Sequence, residues 1–298
     1  MKVLVAGASG QLAQSLVERG AHRNASIDAV GRPVLDIADP ISVAAIVARS
    51  EPDIIINAAA YTAVDKAEEE RDAAFDANAK APENLAMVAN DNGIPFLHVS
   101  TDYVFSGDAE QAYVEEDKPN PQGVYGLSKL EGEQRVLNVA PRSAVFRTAW
   151  VYSPFGNNFL KTMLRLAETR DELGVVADQT GTPTSALDIA DGLLAVSERL
   201  LSTNTDPKDT DLFGVFHMSG TGKAVWADFA EEIFTISKEL GGPSARVNRI
   251  TTKEFPTPAR RPANSLLNCD RLERVYGVKL PNWEESVRLC VERVLKSI

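Results

Sequence analysis

Through the first half of the chain, short β-rich apolar runs are each followed by a helical pattern, and this alternation constrains the fold more than any other feature. The runs cover residues 2–7, 26–30, 53–59, 95–101 and 143–149, with helical segments near 10–19, 41–49, 71–92 and 125–139. Strands that are apolar along their whole length have no solvent face, so they belong in a parallel sheet covered by helices on both sides. The expected class is α/β, a doubly wound parallel sheet. Ligands of such sheets bind at the carboxyl ends of the strands, where Gly7, Ala60, Thr101 and Trp150 all fall.

Beyond Trp150 the pattern changes. Helices are expected over 157–170, 185–201, 225–240 and 283–298, short strands over 173–177 and 215–219, and a polar surface loop over 202–211. The chain thus divides into a nucleotide-binding part, residues 1–150, and a smaller C-terminal, mainly substrate-binding part, residues 151–298, interleaved with the first. Pro256, Pro258 and Pro262 around Arg260 and Arg261 make the 251–265 loop too stiff for a simple linker.

The first strand runs into Gly7-Ala8-Ser9-Gly10-Gln11-Leu12-Ala13, the Gly-x-x-Gly-x-x-Gly/Ala spacing of a dinucleotide turn. Glycine at the first two positions lets the backbone turn tightly and approach a pyrophosphate over the helix N-terminus; Ala13 need only be small. With a strand before it and a helix after, the motif makes the sheet Rossmann-like. Arg32 follows the second strand in place of an acid that would hold both ribose hydroxyls. It either pairs with a 2′-phosphate, favouring NADPH over NADH, or is a solvated arginine at a turn. Asp36 and Ile37 are expected at the adenine, and Ala60-Tyr61-Thr62 beside the nicotinamide half.

Tyr125 and Lys129 stand four residues apart on one helix face, a phenol beside an ammonium. Reducing a ketone takes a hydride on carbon and a proton on oxygen. Tyr125 can give the proton, Lys129 lowers the cost of the phenolate and can hold the nicotinamide ribose, and Thr101, at a strand end, can orient the carbonyl. Asn78 is either a relay or backbone brace, or a helix-surface amide. The catalytic set is Thr101, Tyr125 and Lys129.

Composition excludes other classes. With 42 acidic against 31 basic residues the net charge is −11, which argues against a nucleic-acid partner. No apolar stretch reaches the length of a membrane span, and the N-terminus enters a strand directly without a leader pattern, so a cytoplasmic protein is expected. Cys269 and Cys290 form no metal-like spacing, and His22, His98 and His217 are far apart in sequence; all are read as structural, with no metal site.

Asn57-Ala58-Ala59-Ala60-Tyr61-Thr62-Ala63-Val64-Asp65-Lys66-Ala67-Glu68, Ser100-Thr101-Asp102-Tyr103-Val104-Phe105, Tyr125-Gly126-Leu127-Ser128-Lys129, Arg147-Thr148-Ala149-Trp150-Val151-Tyr152 and Arg261-Pro262-Ala263-Asn264-Ser265 together resemble the dTDP-4-dehydrorhamnose reductases, within the extended short-chain dehydrogenase/reductase superfamily. The resemblance implies reduction of the 4-keto group of dTDP-6-deoxy-L-lyxo-4-hexulose by NADPH or NADH. It implies cofactor contacts at Gly10, Gln11, Leu12, Asp36, Ile37, Ala60, Tyr61, Thr62, Tyr125 and Lys129, and sugar contacts at Thr101, Asp102 and Trp150. Arg261 and Asn264 are added here as substrate residues, Arg261 as a rigidly held cation for the diphosphate. Ser15 stands where some members carry a glutamate linked to magnesium at a dimer interface, which leaves both magnesium and a homodimer open. Two other readings share the fold: a silent regulatory subunit of the methionine adenosyltransferase type, and a nucleotide-sugar epimerase or dehydratase. Dehydration would want Glu beside Asp after the fourth strand, where Thr101, Asp102 and Tyr103 stand instead.

Overall fold

Val3, Leu4, Val5 and Ala6 are all buried, so strand β1 (Lys2–Ala6) must be covered on both faces. In the computed structural model, which describes residues 1–202 and 210–296, β1 lies inside a six-stranded sheet. Its neighbours are β2 (Ser26–Val30) on one side and β3 (Ile54–Asn57) on the other, followed by β4 (Phe96–Thr101), β5 (Ser143–Thr148) and an edge strand, Gly214–His217. Every pairing is parallel. The winding reverses between β1 and β3, and the resulting crevice is where such sheets bind ligands.

One face is covered by α1 (Gln11–His22) and the helix Ala186–Ser202, which bury Leu12, Leu16 and Leu193 against the sheet. The other carries the helices Pro40–Ser50, Ala81–Asp91 and Val124–Val139, through Val43, Ile46, Leu85, Ala86 and Val136. The sheet is therefore doubly wound, as the apolar runs required.

A second apolar cluster forms after Trp150. The helices Phe159–Ala167, Trp226–Glu239 and Trp283–Lys296 close around Leu160, Leu164, Ala230, Ile233, Val287 and Val291. Beside them Glu172–Val176 pairs in parallel with Arg246–Ile250, a strand whose polar, largely exposed sequence hid it from periodicity. The edge strand Gly214–His217 and the helix Ala186–Ser202 lie in this half of the chain but pack on the main sheet. Most of the polar loop expected over 202–211 lies outside the described residues.

The single helix expected over 71–92 is broken. Arg71–Phe75 passes through a π-helical turn, Asp76–Lys80, before Ala81–Asp91 resumes the α form. Pro82 has no N–H to give the Asn78 carbonyl four residues earlier, so the α ladder fails at that rung, and Ala81 donates instead to Asp76.

Candidate functional site

The carboxyl ends of β1, β3, β4 and β5 open into two cavities. The smaller, of about 590 Å³, runs over Gly7 and Ser9 past Gly31 and Arg32 to Ile37 and Tyr61. Gly7 has φ of +112°, and a Cβ there would lie 3.0 Å from the Ala59 nitrogen, so both the turn and the contact with the segment just after β3 require glycine. Gly10 precedes α1, whose first turn has no side-chain cap and no acidic residue. Its free N–H groups suit a diphosphate, and Ala13 is fully buried at the helix–strand contact. Arg32 stands on the rim, 77% exposed, with Nη2 on Asp36 at 3.1 Å. Asp36 also accepts from the Ala38 N–H, and these hydrogen bonds hold its carboxyl below the usual value.

The larger cavity, of about 690 Å³, reaches from Gln11, Thr62 and Tyr125 to an aromatic wall in the C-terminal half. Tyr125 lies in the first turn of its helix, whose N-terminus is capped from elsewhere: Glu68 accepts from the Val124 N–H at 2.9 Å. Gly126 brings that helix against the turn Asp102–Val104 that follows β4, since a Cβ there would fall 2.1 Å from the Tyr103 carbonyl oxygen. The Tyr125 ring meets Tyr103 edge-on at 5.4 Å. Burial pushes the Tyr125 phenol above its ordinary value of 10. Thr101 accepts from the Tyr103 N–H at 3.2 Å and donates to Asp102 Oδ1 at 2.8 Å. Its single proton is thus committed to Asp102, and turning toward a substrate carbonyl requires releasing it. Burial raises the Asp102 carboxyl to about 6; its Oδ2 and the Thr148 hydroxyl, one strand over, have no protein partner.

Lys129 is 1% exposed and does not line either cavity; one helical turn on from Tyr125, it has Nζ on the Val99 carbonyl oxygen at 2.7 Å. Burial depresses the ammonium to about 8, against the opposing charge of Glu133. Glu133 holds Arg147 through both oxygens, the closest contact 2.7 Å, and accepts from Ser100 at 2.5 Å, which pins the helix Val124–Val139 to β4 and β5. Asn78 is buried and braces the backbone: it accepts from the Tyr61 N–H at 2.7 Å and donates to the Tyr61 carbonyl and to Ser128.

Trp150 takes φ of +47°, rare for a bulky residue, and stacks flat on Trp226 at 3.7 Å while Nε1 donates to Ser265. Arg261 also reaches the cavity. Its Nη2 is 2.6 Å from Asp65 Oδ2 and its Nη1 donates to the Tyr103 hydroxyl, so its charge is already partnered. The structure does not bring Asn264 to the cavity: its amide donates to the Ala109 and Gln111 carbonyls and braces a loop. Leu12 packs its side chain into the core, leaving its backbone to face a ligand. Sequence reasoning missed the cap from Glu68, the Asp65–Arg261 pair and Trp226; Glu68 and Asp65 lie in the 57–68 stretch, which entered only as part of the family resemblance. Among the described residues no three His, Cys, Asp or Glu side chains gather as a metal set, and Ser15 is buried with its hydroxyl on the Gln11 carbonyl.

The family model described as RmlD substrate binding domain matches residues 1–296. The chain belongs to this family. A relative from Sinorhizobium fredii, dTDP-4-dehydrorhamnose reductase, is 48% identical over 99% of this chain and 98% of its own length. The solved dTDP-4-dehydrorhamnose reductase of Clostridium acetobutylicum superposes with a TM-score of 0.90 at 39% identity, covering all of both chains. That of Bacillus anthracis, solved in complex with NADP, gives 0.87 at 36% identity over 100% of this chain and 99% of that one. Among the described residues no helix is long and apolar enough to cross a membrane.

Proposed function

We propose that the chain is a dTDP-4-dehydrorhamnose reductase, reducing the 4-keto group of dTDP-6-deoxy-L-lyxo-4-hexulose to dTDP-L-rhamnose. NADPH, bound along the smaller cavity, supplies the hydride, and NADH is the weaker alternative. The observation that carries this reading is the Tyr125 phenol, set beside Thr101 in the larger cavity where the two cavities approach each other, with Lys129 one helical turn further on. Gly7, Gly10 and the uncapped start of α1 would hold the diphosphate of the cofactor, and Arg32 its 2′-phosphate.

In the reducing direction Tyr125 gives its proton to the oxygen that was the ketone. The positive charge of Lys129 lowers the cost of the phenolate left behind. Asp102 and Thr101 orient the sugar, and the Trp150–Trp226 stack forms a flat apolar wall beside it. Arg261, held by Asp65 and Tyr103, places its remaining N–H groups for the substrate diphosphate.

The test is NADPH oxidation by the purified protein, with the sugar nucleotide identified by NMR. Oxidation dependent on the dTDP-4-keto-6-deoxy sugar and yielding dTDP-L-rhamnose is the expected result. Binding of both ligands without turnover would indicate a silent binding subunit instead.

A further inference from the structure

β3 ends in Asn57, and β4 places His98 beside it in the parallel register. Both side chains are wholly buried. The Ala59 N–H donates to Asn57 Oδ1 at 3.0 Å, which fixes the amide's orientation and turns Nδ2 toward His98 Nδ1, also at 3.0 Å. An amide NH₂ only donates, so Nδ1 must be the accepting nitrogen. Burial keeps the imidazole neutral, and its one proton therefore sits on Nε2. That nitrogen lies 3.5 Å from Lys129 Nζ.

An ammonium has no lone pair. Facing the charged lysine, His98 Nε2–H sets donor against donor; facing the neutral amine, it has an acceptor. We infer that His98, with its tautomer set by Asn57, is a positioning residue for Lys129 that biases this lysine toward its unprotonated form. The link starts at the backbone of Ala59, which lines the cofactor cleft, and ends at Lys129, one helical turn on from Tyr125. Other titratable or charged groups on the elements packed there are Glu133 and Tyr125 on the same helix, Asp102 just beyond β4, and Arg147 on β5, which is paired with Glu133. Of these, Glu133 favours the charged lysine, so His98 acts against it.

The kinetic part of the test rests on the proposed reductase activity; the spectroscopic part does not. Long-range ¹⁵N–¹H NMR of the imidazoles in the intact protein should show His98 protonated on Nε2 and bare on Nδ1, and a proton on Nδ1 overturns the inference. His98→Phe keeps a ring in the core and removes the opposing N–H. The basic limb of its kcat/KM profile should move up by at least about half a pH unit, a roughly threefold change in the lysine's proton affinity. Asn57→Asp accepts the proton of Nδ1 and leaves the Nε2 lone pair facing Nζ, so its limb should also rise. In the double variant the aspartate should add little. A limb unmoved in both single variants, or an aspartate effect equally large without the imidazole, refutes the link.

Discussion

Replacing Tyr125 with Phe separates chemistry from structure. The phenyl ring keeps the edge-on contact with Tyr103, 5.4 Å between centroids, and leaves the helix cap from Glu68 untouched. The lost hydroxyl lies beside Thr101, but Thr101 still donates to Asp102 at 2.8 Å and accepts from the Tyr103 N–H, so no buried donor is orphaned. A hydrogen bond removed without stranding its partner costs about 1 kcal/mol of stability. General acid catalysis contributes about 10²–10⁴-fold, equivalent to about 3–5 kcal/mol of barrier. Single-turnover NADPH oxidation should therefore fall at least about a hundredfold, while NADPH affinity by fluorescence titration and the melting temperature stay near wild type. Retention of more than about a tenth of the wild-type rate would show that Tyr125 is not the acid. Loss of rate in step with loss of cofactor affinity would refute it as well.

In the reducing direction kcat/KM should fall as pH rises through about 8, because burial lowers the Lys129 ammonium to that value and the charged form exists only below it; a limb near the ordinary lysine value would refute this. Glu133→Gln leaves the buried Arg147 guanidinium without its counter-charge and should lower stability by about 3–5 kcal/mol in urea unfolding. Arg32→Ala should raise the KM for NADPH and leave that for NADH nearly unchanged, as steady-state kinetics with each cofactor will show. Arg261→Lys keeps the charge but cannot span Asp65 and the Tyr103 hydroxyl with one planar fork. It should weaken dTDP binding to the NADPH complex by about 1–3 kcal/mol by calorimetry.

The sheet was readable because its cause is local. Residues 3–6 and 54–56 are apolar at consecutive positions, and a strand with no polar face has to be buried on both sides wherever the chain goes next. The glycine turn and the Tyr125–Lys129 spacing are equally local, since each follows from a few neighbouring residues and a single helical or turn geometry. Local pattern failed where a distant partner decided the outcome. Nothing near Asn264 tells that its amide braces Ala109 and Gln111, and nothing near Glu68 tells that it caps a helix that starts at residue 124.

Asn57 and His98 show the same division between the local and the distant. In the sequence each is a polar residue in an apolar run, and His98 reads as a structural core residue. Only the parallel pairing of β3 with β4 sets the amide against the imidazole, and only the packing of the Val124–Val139 helix brings Lys129 to the other side of the ring. The sequence by itself determined the strands of the main sheet, the glycine turn and the spacing of Tyr125 and Lys129, because their geometry is fixed by residues a few places apart. The protonation of Lys129 and Asp102 and the partners of Arg261 were decided by the tertiary structure, because burial and hydrogen bonding depend on groups that come together only when the chain folds.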